Sequence, residues 1–279
     1  MAGEGSTADG DRGAAAQEDG CVRVRDSDGV RTLILDRPAR RNALTVAMYE
    51  TLAEALETLD ARDDLRVGLL TATGGTFCAG NDLGDFLEVS ASGEPLGADS
   101  PQGRLLHALA RREKPLVAAV DGAGIGIGFT ALLHADLVVA TPTASFGAPF
   151  VPLGLCPEAG SSLLLPALLG RQRAMEVFLL GRRLDAAEAH EAGLLNRVVA
   201  SEDLVSVARG YAESLAALPP HAVRATRRLV CASPEPLAER IDRELAAFGE
   251  CLSDERTRTA LAAARAATTG REPAGPTGG

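Results

Sequence analysis

The segment that most constrains the fold is residues 114–136, KPLVAAVDGAGIGIGFTALLHAD. It begins with the apolar run 116–120, which follows a proline and is typical of a buried strand. Glycine then occupies every second position from Gly122 to Gly128, and residues 129–134 are apolar and compatible with a helix. The segment therefore predicts a buried strand, a glycine turn and the start of a helix.

A glycine turn at a helix start exposes backbone N–H groups, and these donors favour negative charge. Either a phosphate or a developing oxyanion fits such a site. A dinucleotide-binding G-x-G-x-x-G motif is excluded because Ile127 and Phe129 stand where its third glycine would be. A P-loop is excluded because no Gly-Lys-Ser/Thr follows. A turn that only lets a helix pack closely on a sheet explains this segment equally well, so a second donor loop is needed to decide.

Composition excludes several classes of protein. The chain has 279 residues, of which 46% are hydrophobic, so a large globular core is expected. A net charge of −10 and only 3% aromatic residues, with no tryptophan, argue against a nucleic-acid partner. Five cysteines without a CxxC pair are typical of a reducing compartment. We expect a cytoplasmic protein, because residues 1–20 lack the features of a signal peptide and no apolar run reaches membrane-spanning length.

Local signals place several elements along the chain. Asp28-Gly29 predicts a two-residue hairpin, and Thr45 predicts the N-cap of a helix that ends near residue 59. Residues 36–44 form a loop with three arginines. A solvated surface loop is the common interpretation of such a run, and a site for an anionic ligand is the sharper one. Residues 73–83, TGGTFCAGNDL, provide a second glycine loop.

The order of elements predicts an α/β fold with helices at its C-terminal end. Strand and helix alternate as far as residue 199, and helical patterns dominate afterwards, the last of them a single helix over about residues 236–267. We predict a disordered tail at residues 1–20, a core at 21–199, a helical region at 200–267 and a flexible tail at 268–279.

Four motifs together resemble the crotonase superfamily, also called the enoyl-CoA hydratase/isomerase family, over about residues 22–267. The first is Arg37-Pro38 with Asn42-Ala43-Leu44, and the others are residues 77–83, 120–136 and 171–199. The resemblance implies a spiral of ββα turns with a C-terminal trimerisation region, trimers often paired into hexamers, and an acyl-CoA thioester as the ligand. It also implies no cofactor apart from the coenzyme A of the substrate, and no metal.

The resemblance also implies a set of site residues. Members of the family hold the thioester carbonyl between two backbone N–H groups, which match Ala79 and Ile127 here. Asp82 is expected to bond loop amides as well as to lie at the ligand. The implied substrate and coenzyme A contacts are Arg37, Ala39, Arg40, Asn42, Ala43, Asn81, Asp82, Leu83, Gly126, Thr130 and Phe150.

The acid and base groups depart from the hydratase pattern. Hydratases of the family carry two glutamates, and the matching positions here are Thr130 and Phe150, which cannot exchange a proton as a carboxylate does. Glu158, within Pro-Glu-Ala-Gly-Ser-Ser, matches the single catalytic glutamate of the peroxisomal-type 3-enoyl-CoA isomerases. From local sequence alone, an acid that favours a helix N-terminus is the better interpretation of Glu158, and the surrounding match to the family favours the catalytic role instead.

Three functions stay open at this stage. The first is a shift of the double bond of a 3-enoyl-CoA to the 2-enoyl position, with Glu158 as the base. The second is a weak hydratase that uses Glu158, or another thioester enolate reaction on the same frame. The third is a non-catalytic acyl-CoA-binding subunit. No nucleophile is assigned to Cys78 or Cys156, and the histidines form no metal-ligand motif.

Overall fold

A computed structural model of the chain describes residues 21–92, 96–232 and 236–269. The tail predicted at residues 1–20 and most of the one predicted at 268–279 lie outside these residues. Within them, the strands are β1 Cys21–Ser27, β2 Val30–Asp36, β3 Val67–Ala72, β4 Leu116–Val120, β5 Ala123–Ile125, β6 Leu137–Ala140, β7 Ser145–Gly147, β8 Leu184–Asp185 and β9 Arg197–Val198.

Most of the described helices lie between or after the strands. They are α1 Val46–Ala61, α2 Leu83–Ser92, α3 Pro101–Arg111, α4 Ile127–Thr130, α5 Ser161–Leu169, α6 Arg171–Leu180, α7 Ala186–Glu191, α8 Leu204–Ala216, α9 Pro220–Val230, α10 Leu237–Ser253 and α11 Glu255–Thr269. Short 3₁₀ turns occur at Pro38–Arg40, Ala131–His134, Val151–Leu153 and Ser201–Asp203.

The main sheet has the strand order β1-β2-β3-β4-β6-β9, and a small second sheet has the order β5-β7-β8. In the main sheet only the β1–β2 pair is antiparallel. The predicted hairpin joins that pair, because Asp28 and Gly29 both take positive φ, 54° and 76°, as a type I′ turn requires. The remaining strands are parallel, so the loops that follow β3 and β4 leave the sheet at the same end.

Both faces of the main sheet are covered, as continuous apolar strands require. All five residues of β4 are buried. Helices α1 and α3 pack together on one face, and α8 packs across β3, β4 and β6 on the other. The C-terminal helices return to the core, where α10 contacts α3 and α11 contacts α2.

Two sequence predictions need correction. We predicted one long helix over residues 236–267, but α10 and α11 are separated at Asp254, whose backbone is extended with φ −71° and ψ 137°. The Asp254 carboxylate accepts the Arg256 N–H at 2.7 Å and so caps α11. The sequence also predicts that a flexible tail begins at residue 268, whereas α11 continues to Thr269. No helix of the described residues is long and apolar enough to cross a membrane.

Candidate active site

The two glycine loops of the sequence meet beyond the carboxyl ends of β3 and β4. Cys78 pairs with Gly124 in an isolated parallel bridge. A methyl group added to Gly80 would lie 3.2 Å from the Ile125 carbonyl oxygen, and one added to Gly126 would lie 3.7 Å from the Gly80 Cα. Gly80 and Gly126 also take positive φ, 100° and 57°. Glycine is therefore needed at both positions. The residues that follow them, Asn81 and Ile127, are the first members of the candidate site.

The hydrogen bonds of this junction correct one predicted donor. The Ala79 N–H, predicted as an oxyanion donor, already donates to the Arg41 carbonyl at 3.0 Å. Among the described residues, the N–H groups of Asn81 and Ile127 have no hydrogen-bond acceptor. These two residues directly follow Gly80 and Gly126, the two glycines at which the loops meet. We therefore move the predicted donor from Ala79 to Asn81 and retain Ile127, which begins α4.

Glu158 lies beside the same helix start. Its side chain is buried, with 7% of the residue exposed, and the Thr130 hydroxyl lies 2.5 Å from its Oε1 atom. Burial raises the pKa of Glu158 from 4.5 to about 8, although the Thr130 hydrogen bond lowers it and the negative charge of Glu244 raises it further. A carboxyl with this pKa exchanges protons near neutral pH, as a general base must.

The loop that carries Glu158 has an unusual backbone. Ala159 takes φ 59° and Gly160 takes φ 68°, so a non-glycine residue occupies the left-handed region. The His134 Nε2 atom lies 2.7 Å from the Ala159 carbonyl oxygen. Burial lowers the pKa of His134 to about 4, so the imidazole is neutral and its Nε2–H donates to that carbonyl. The bond fixes the left-handed turn next to Glu158.

A second buried carboxylate holds this loop from the other side. Glu244 of α10 accepts the Gly160 N–H at 2.5 Å and the Ser162 N–H at 3.0 Å, and it also accepts the Ser162 hydroxyl. These bonds satisfy N-terminal amides of α5 that have no partner within the helix. Glu244 therefore acts as an N-cap supplied by a distant helix, and it places negative charge near Glu158.

Tyr49 of α1 completes the surroundings of the candidate base. Its hydroxyl donates to the Asn81 side-chain oxygen at 2.6 Å. Burial, followed by the charge of Glu158, raises the pKa of Tyr49 well above its usual value. The hydroxyl is therefore neutral, and it orients the residue that offers one of the unpaired amides.

The arginine loop is largely engaged with the protein itself. Arg37 donates to the Asp82 carboxylate at 2.8 Å and to the Ala43 carbonyl at 3.0 Å. Asn42 is fully buried, where its amide donates to the Thr73 and Thr76 carbonyls and its oxygen accepts the Arg37 N–H. The side chain of Asn42 is therefore structural, which corrects its prediction as a ligand contact.

The other predicted contact residues have mixed surroundings. Ala39 and Arg40 are exposed on the 3₁₀ turn Pro38–Arg40, and Leu83 is half-buried at the start of α2. Asp82 accepts the Gly84 N–H at 2.9 Å in addition to its ion pair with Arg37, so its predicted bonding of a loop amide is confirmed. Arg40 and Arg41 are the residues of this loop with exposed cationic side chains.

The Phe150 side chain lies in an aromatic cluster and not among polar groups. Its ring centroid is 6.4 Å from those of both Phe178 and Phe248, and Phe248 is 5.7 Å from Phe86. The cluster joins α2, α6 and α10 beside the loop of Glu158. An apolar wall of this kind disfavours an ordered nucleophilic water at the Phe150 position.

A cavity of about 220 Å³ lies at the opposite end of the sheet from the glycine loops. It is lined by residues that precede β3 and β4, among them Arg66 and Lys114. The Lys114 ammonium is already bonded to the Leu59 and Arg62 carbonyls, at 2.7 and 2.6 Å. This cavity is therefore not the candidate active site. Two unpaired amides and a buried carboxyl define that site at the other end of the sheet.

Sequence reasoning missed Tyr49 and Glu244. The signal for Glu244 was present, because this carboxylate interrupts the apolar face of α10 that also contains Ile241, Leu245 and Phe248. Tyr49 gave a weaker signal, as a polar aromatic residue on the buried face of α1. In the part of the chain that the structure describes, no cluster of His, Cys, Asp or Glu side chains forms a metal site.

Comparison with known proteins identifies the family. A family model described as enoyl-CoA hydratase/isomerase matches residues 25–265. The chain belongs to the enoyl-CoA hydratase/isomerase family. The structure of an enoyl-CoA hydratase/isomerase from Pseudoalteromonas atlantica T6c is 39% identical, with a TM-score of 0.81 over 91% of this chain and 98% of that one. The predicted crotonase-like α/β fold is thereby confirmed.

Two curated relatives of this enoyl-CoA hydratase/isomerase family member are isomerases by name. The 1,2-epoxyphenylacetyl-CoA isomerase of Escherichia coli K12 is 40% identical over 68% of this chain and 74% of its own length. Enoyl-CoA delta isomerase 2 of Rattus norvegicus is 33% identical over 77% of this chain and 55% of its own length. The family acts on acyl-CoA thioesters, which confirms the predicted class of ligand at the level of the family.

Proposed function

We propose that the protein moves the double bond of a 3-enoyl-CoA to the 2-enoyl position, with Glu158 as the base that removes and returns the proton. The observation that carries this proposal is the buried Glu158 carboxyl, hydrogen-bonded to Thr130 and with a pKa raised to about 8. Of the two buried acidic side chains among the described residues, Glu244 is occupied as a helix cap. Glu158 is the one available for proton transfer.

The reaction needs a single base. The Glu158 carboxylate takes a proton from the α carbon, the C–H electron pair forms the C1–C2 double bond, and the carbonyl π pair moves to the thioester oxygen. The protonated Glu158 then gives its proton to the γ carbon. The C3–C4 π pair takes up that proton as the C2–C3 double bond forms and the carbonyl is restored. No water and no cofactor beyond the coenzyme A of the substrate enters the balance.

The dienolate oxygen is placed between the N–H groups of Asn81 and Ile127 in this proposal. Both amides follow glycines of the touching loops, and neither has an acceptor among the described residues. A preorganised donor of this kind typically contributes about 2.7–4 kcal/mol to the stabilisation of an oxyanion transition state. The exposed Arg40 is proposed to contact the phosphates of coenzyme A, together with backbone groups near Ala39 and Leu83.

Two observations favour isomerisation over hydration. Thr130 and Phe150 stand at the two positions where the hydratase pattern has glutamates, and Phe150 packs between Phe178 and Phe248. A dry pocket with one carboxyl suits proton transfer between two carbons, because water would otherwise protonate the intermediate.

We also propose that the protein forms the homotrimer or hexamer implied by the resemblance. The support for this proposal is an apolar surface on α6 and on the 3₁₀ turn Val151–Leu153, which packs against α6. Val151, Met175 and Leu180 are 42%, 43% and 76% exposed there. Light scattering of the purified protein tests this proposal, and a monomer at micromolar concentration would contradict it.

The decisive assay uses 3-hexenoyl-CoA and follows conjugation of the double bond by ultraviolet absorbance. Wild type is expected to convert it, and Glu158→Gln is expected to lose at least about 10²-fold in kcat, the usual effect of removing a general base. Conversion that is equal in the two proteins would contradict the role of Glu158.

Two alternatives are tested by the same preparation. Fast addition of water to crotonyl-CoA would favour the hydratase alternative over the isomerase. Tight binding of acyl-CoA with no conversion of either substrate would favour a non-catalytic acyl-CoA-binding subunit.

A further inference from the structure

The Thr130 hydroxyl lies between two hydrogen-bond acceptors. Its Oγ1 atom is 2.5 Å from Glu158 Oε1 and 3.2 Å from the Gly126 carbonyl oxygen. Thr130 and Glu158 are both buried. A hydroxyl has one proton, so it donates to only one of these oxygens at a time.

The protonation state of Glu158 decides which of the two it is. Ionised Glu158 is only an acceptor, so Thr130 donates to it. Protonated Glu158 has an O–H of its own, which donates to Thr130 Oγ1. The Thr130 proton is then free to rotate toward the Gly126 carbonyl.

The Gly126 carbonyl and the Ile127 N–H belong to the same peptide group. A hydrogen bond accepted by a peptide carbonyl polarises the group, and hydrogen bonds in such chains strengthen one another. The Gly126 carbonyl already accepts the Phe129 and Thr130 N–H groups, each at 2.9 Å, so the Thr130 hydroxyl adds a third donor to it. The Ile127 N–H becomes a better donor when this third bond forms. In the function proposed above, this N–H is one of the two that hold the thioester oxygen.

We propose that Thr130 is a positioning residue that relays protonation of Glu158 to the Ile127 amide. The inference rests on the proposed function and adds a coupling to it. When Glu158 takes the α proton, its new O–H bonds to Thr130 Oγ1 and the Thr130 O–H rotates from Glu158 to Gly126. The covalent O–H bond of Thr130 stays intact, and only its hydrogen bond to Glu158 is exchanged for one to Gly126. The amide thus gains donor strength in the step in which the thioester oxygen gains charge, and it relaxes when Glu158 releases the proton.

A purely structural threonine is the competing explanation. Threonine side chains in helices commonly bond to the carbonyl four residues earlier, as Thr130 does to Gly126. Such a residue would hold Glu158 in place, but the polarisation of a bound thioester would not follow the protonation of Glu158. A spectroscopic measurement therefore separates the two explanations.

Other titratable groups near Glu158 are distinguishable in this measurement. Burial lowers the pKa of His134 to about 4, and it raises the pKa of Cys78 and Cys156 to about 12 and that of Tyr49 well above its usual value. Burial also raises the pKa of Glu244 above 4.5. The Glu158→Gln variant retains all of these groups, so any titration that persists in it belongs to one of them.

The test compares wild type with Thr130→Val, which keeps the shape of the side chain, and Thr130→Ser, which keeps the hydroxyl. Raman difference spectra record the carbonyl stretch of bound 2-hexenoyl-CoA, labelled with ¹³C at the carbonyl, between pH 6 and 9. We expect a lower carbonyl frequency when Glu158 is protonated in wild type and in Thr130→Ser. Thr130→Val should show a smaller frequency change over the titration of Glu158, which moves to higher pH without the Thr130 hydrogen bond, and Glu158→Gln should show no change.

Kinetics provide a second readout on the same variants. Thr130→Val is expected to lose about tenfold in kcat, less than the 10²–10³ typical of removing a donor outright. Thr130→Ser should recover most of that loss. A pH-dependent frequency in Thr130→Val equal to that of wild type, or none in wild type, would overturn the relay. If wild type binds the thioester without isomerising 3-hexenoyl-CoA, the proposed function fails, while the spectra still test the relay.

Discussion

Glu158 is held in surroundings that disfavour its charged form, and two properties of the protein depend on that single residue. Its neighbours are the Thr130 hydroxyl, the Tyr49 phenol and the Glu244 carboxylate. A raised pKa makes the residue a better proton carrier near neutral pH and also makes its ionisation costly to the fold.

The rate of isomerisation should follow the ionisation of Glu158. Because the base must be deprotonated and its pKa is raised to about 8, we expect kcat/KM to rise about tenfold per pH unit from pH 6 and to level off above about pH 8. Initial rates with 3-hexenoyl-CoA across pH 6–9 provide the measurement. A flat profile over this range would show that another group is the base or that proton transfer does not limit the rate.

Glu158→Gln should become more stable than wild type as pH rises. The folded state keeps the Glu158 proton up to about pH 8, whereas the unfolded chain releases it near 4.5, so this residue lowers the stability of wild type progressively between those values. Glutamine does not titrate, so the advantage of the variant should grow between pH 5 and 8 and then stay constant. Urea denaturation at pH 5, 6.5 and 8.5 measures it. An advantage that does not change with pH would contradict the buried position of the carboxyl.

At the scale of elements, α10 acts on the active site through two side chains. Glu244 caps the N-terminus of α5, and its charge raises the pKa of Glu158. One turn further along α10, Phe248 contacts Phe150 in the aromatic cluster. The position of the helix therefore fixes both the backbone of the Glu158 loop and the electrostatics of the base.

Two substitutions of Glu244 separate these effects. Glu244→Gln keeps an oxygen that accepts the α5 amides but removes the charge, so the rising limb of the pH profile should move to lower pH. Glu244→Ala removes the cap as well and should cost about 0.5–2 kcal/mol in unfolding free energy. Glu250→Gln is the matched control, because Glu250 is exposed on the same helix. If Glu250→Gln moved the rising limb of the pH profile as far as Glu244→Gln does, the shift would reflect the net charge of the protein alone.

At the scale of the whole molecule, a partly buried ion network ties α9 to the sheet. Asp136 accepts Arg112 at 3.0 Å, Arg227 at 2.8 Å and the Leu116 N–H at 2.8 Å. Arg227 also donates to the Arg112 carbonyl. Arg112 is buried, and this burial lowers its pKa to about 10. The network joins α9 to the ends of α3 and β4.

Asp136→Ala should destabilise the protein strongly. It would leave the Arg112 guanidinium buried without a carboxylate, and breaking a buried pair in this way costs about 3–5 kcal/mol. Urea denaturation at pH 7 gives the change in unfolding free energy. Asp64→Asn removes the exposed partner of Arg62 and should cause no measurable change. Equal effects of the two substitutions would show that the network does not contribute to stability.

The sequence by itself determined the elements whose signals lie within a few residues. Thr45 caps α1 by accepting the Met48 N–H, the hairpin turns at Asp28 and Gly29, and β4 spans the predicted apolar run. The family was also readable, because its motifs are contiguous segments of chain. Local propensity and short motifs carry this information without any tertiary contact.

Only the tertiary structure decided how the site is assembled. The sequence motif predicts Ala79 as a donor, and the structure excludes it through a bond from the Ala79 N–H to the distant Arg41 carbonyl. Tyr49 meets Asn81 across 32 residues, and Glu244 meets Gly160 across 84. Such contacts depend on how helices pack on the sheet. The physical reason is that burial and the partners of a polar group, which set its pKa and its freedom to donate, are properties of the packed chain and not of its local sequence.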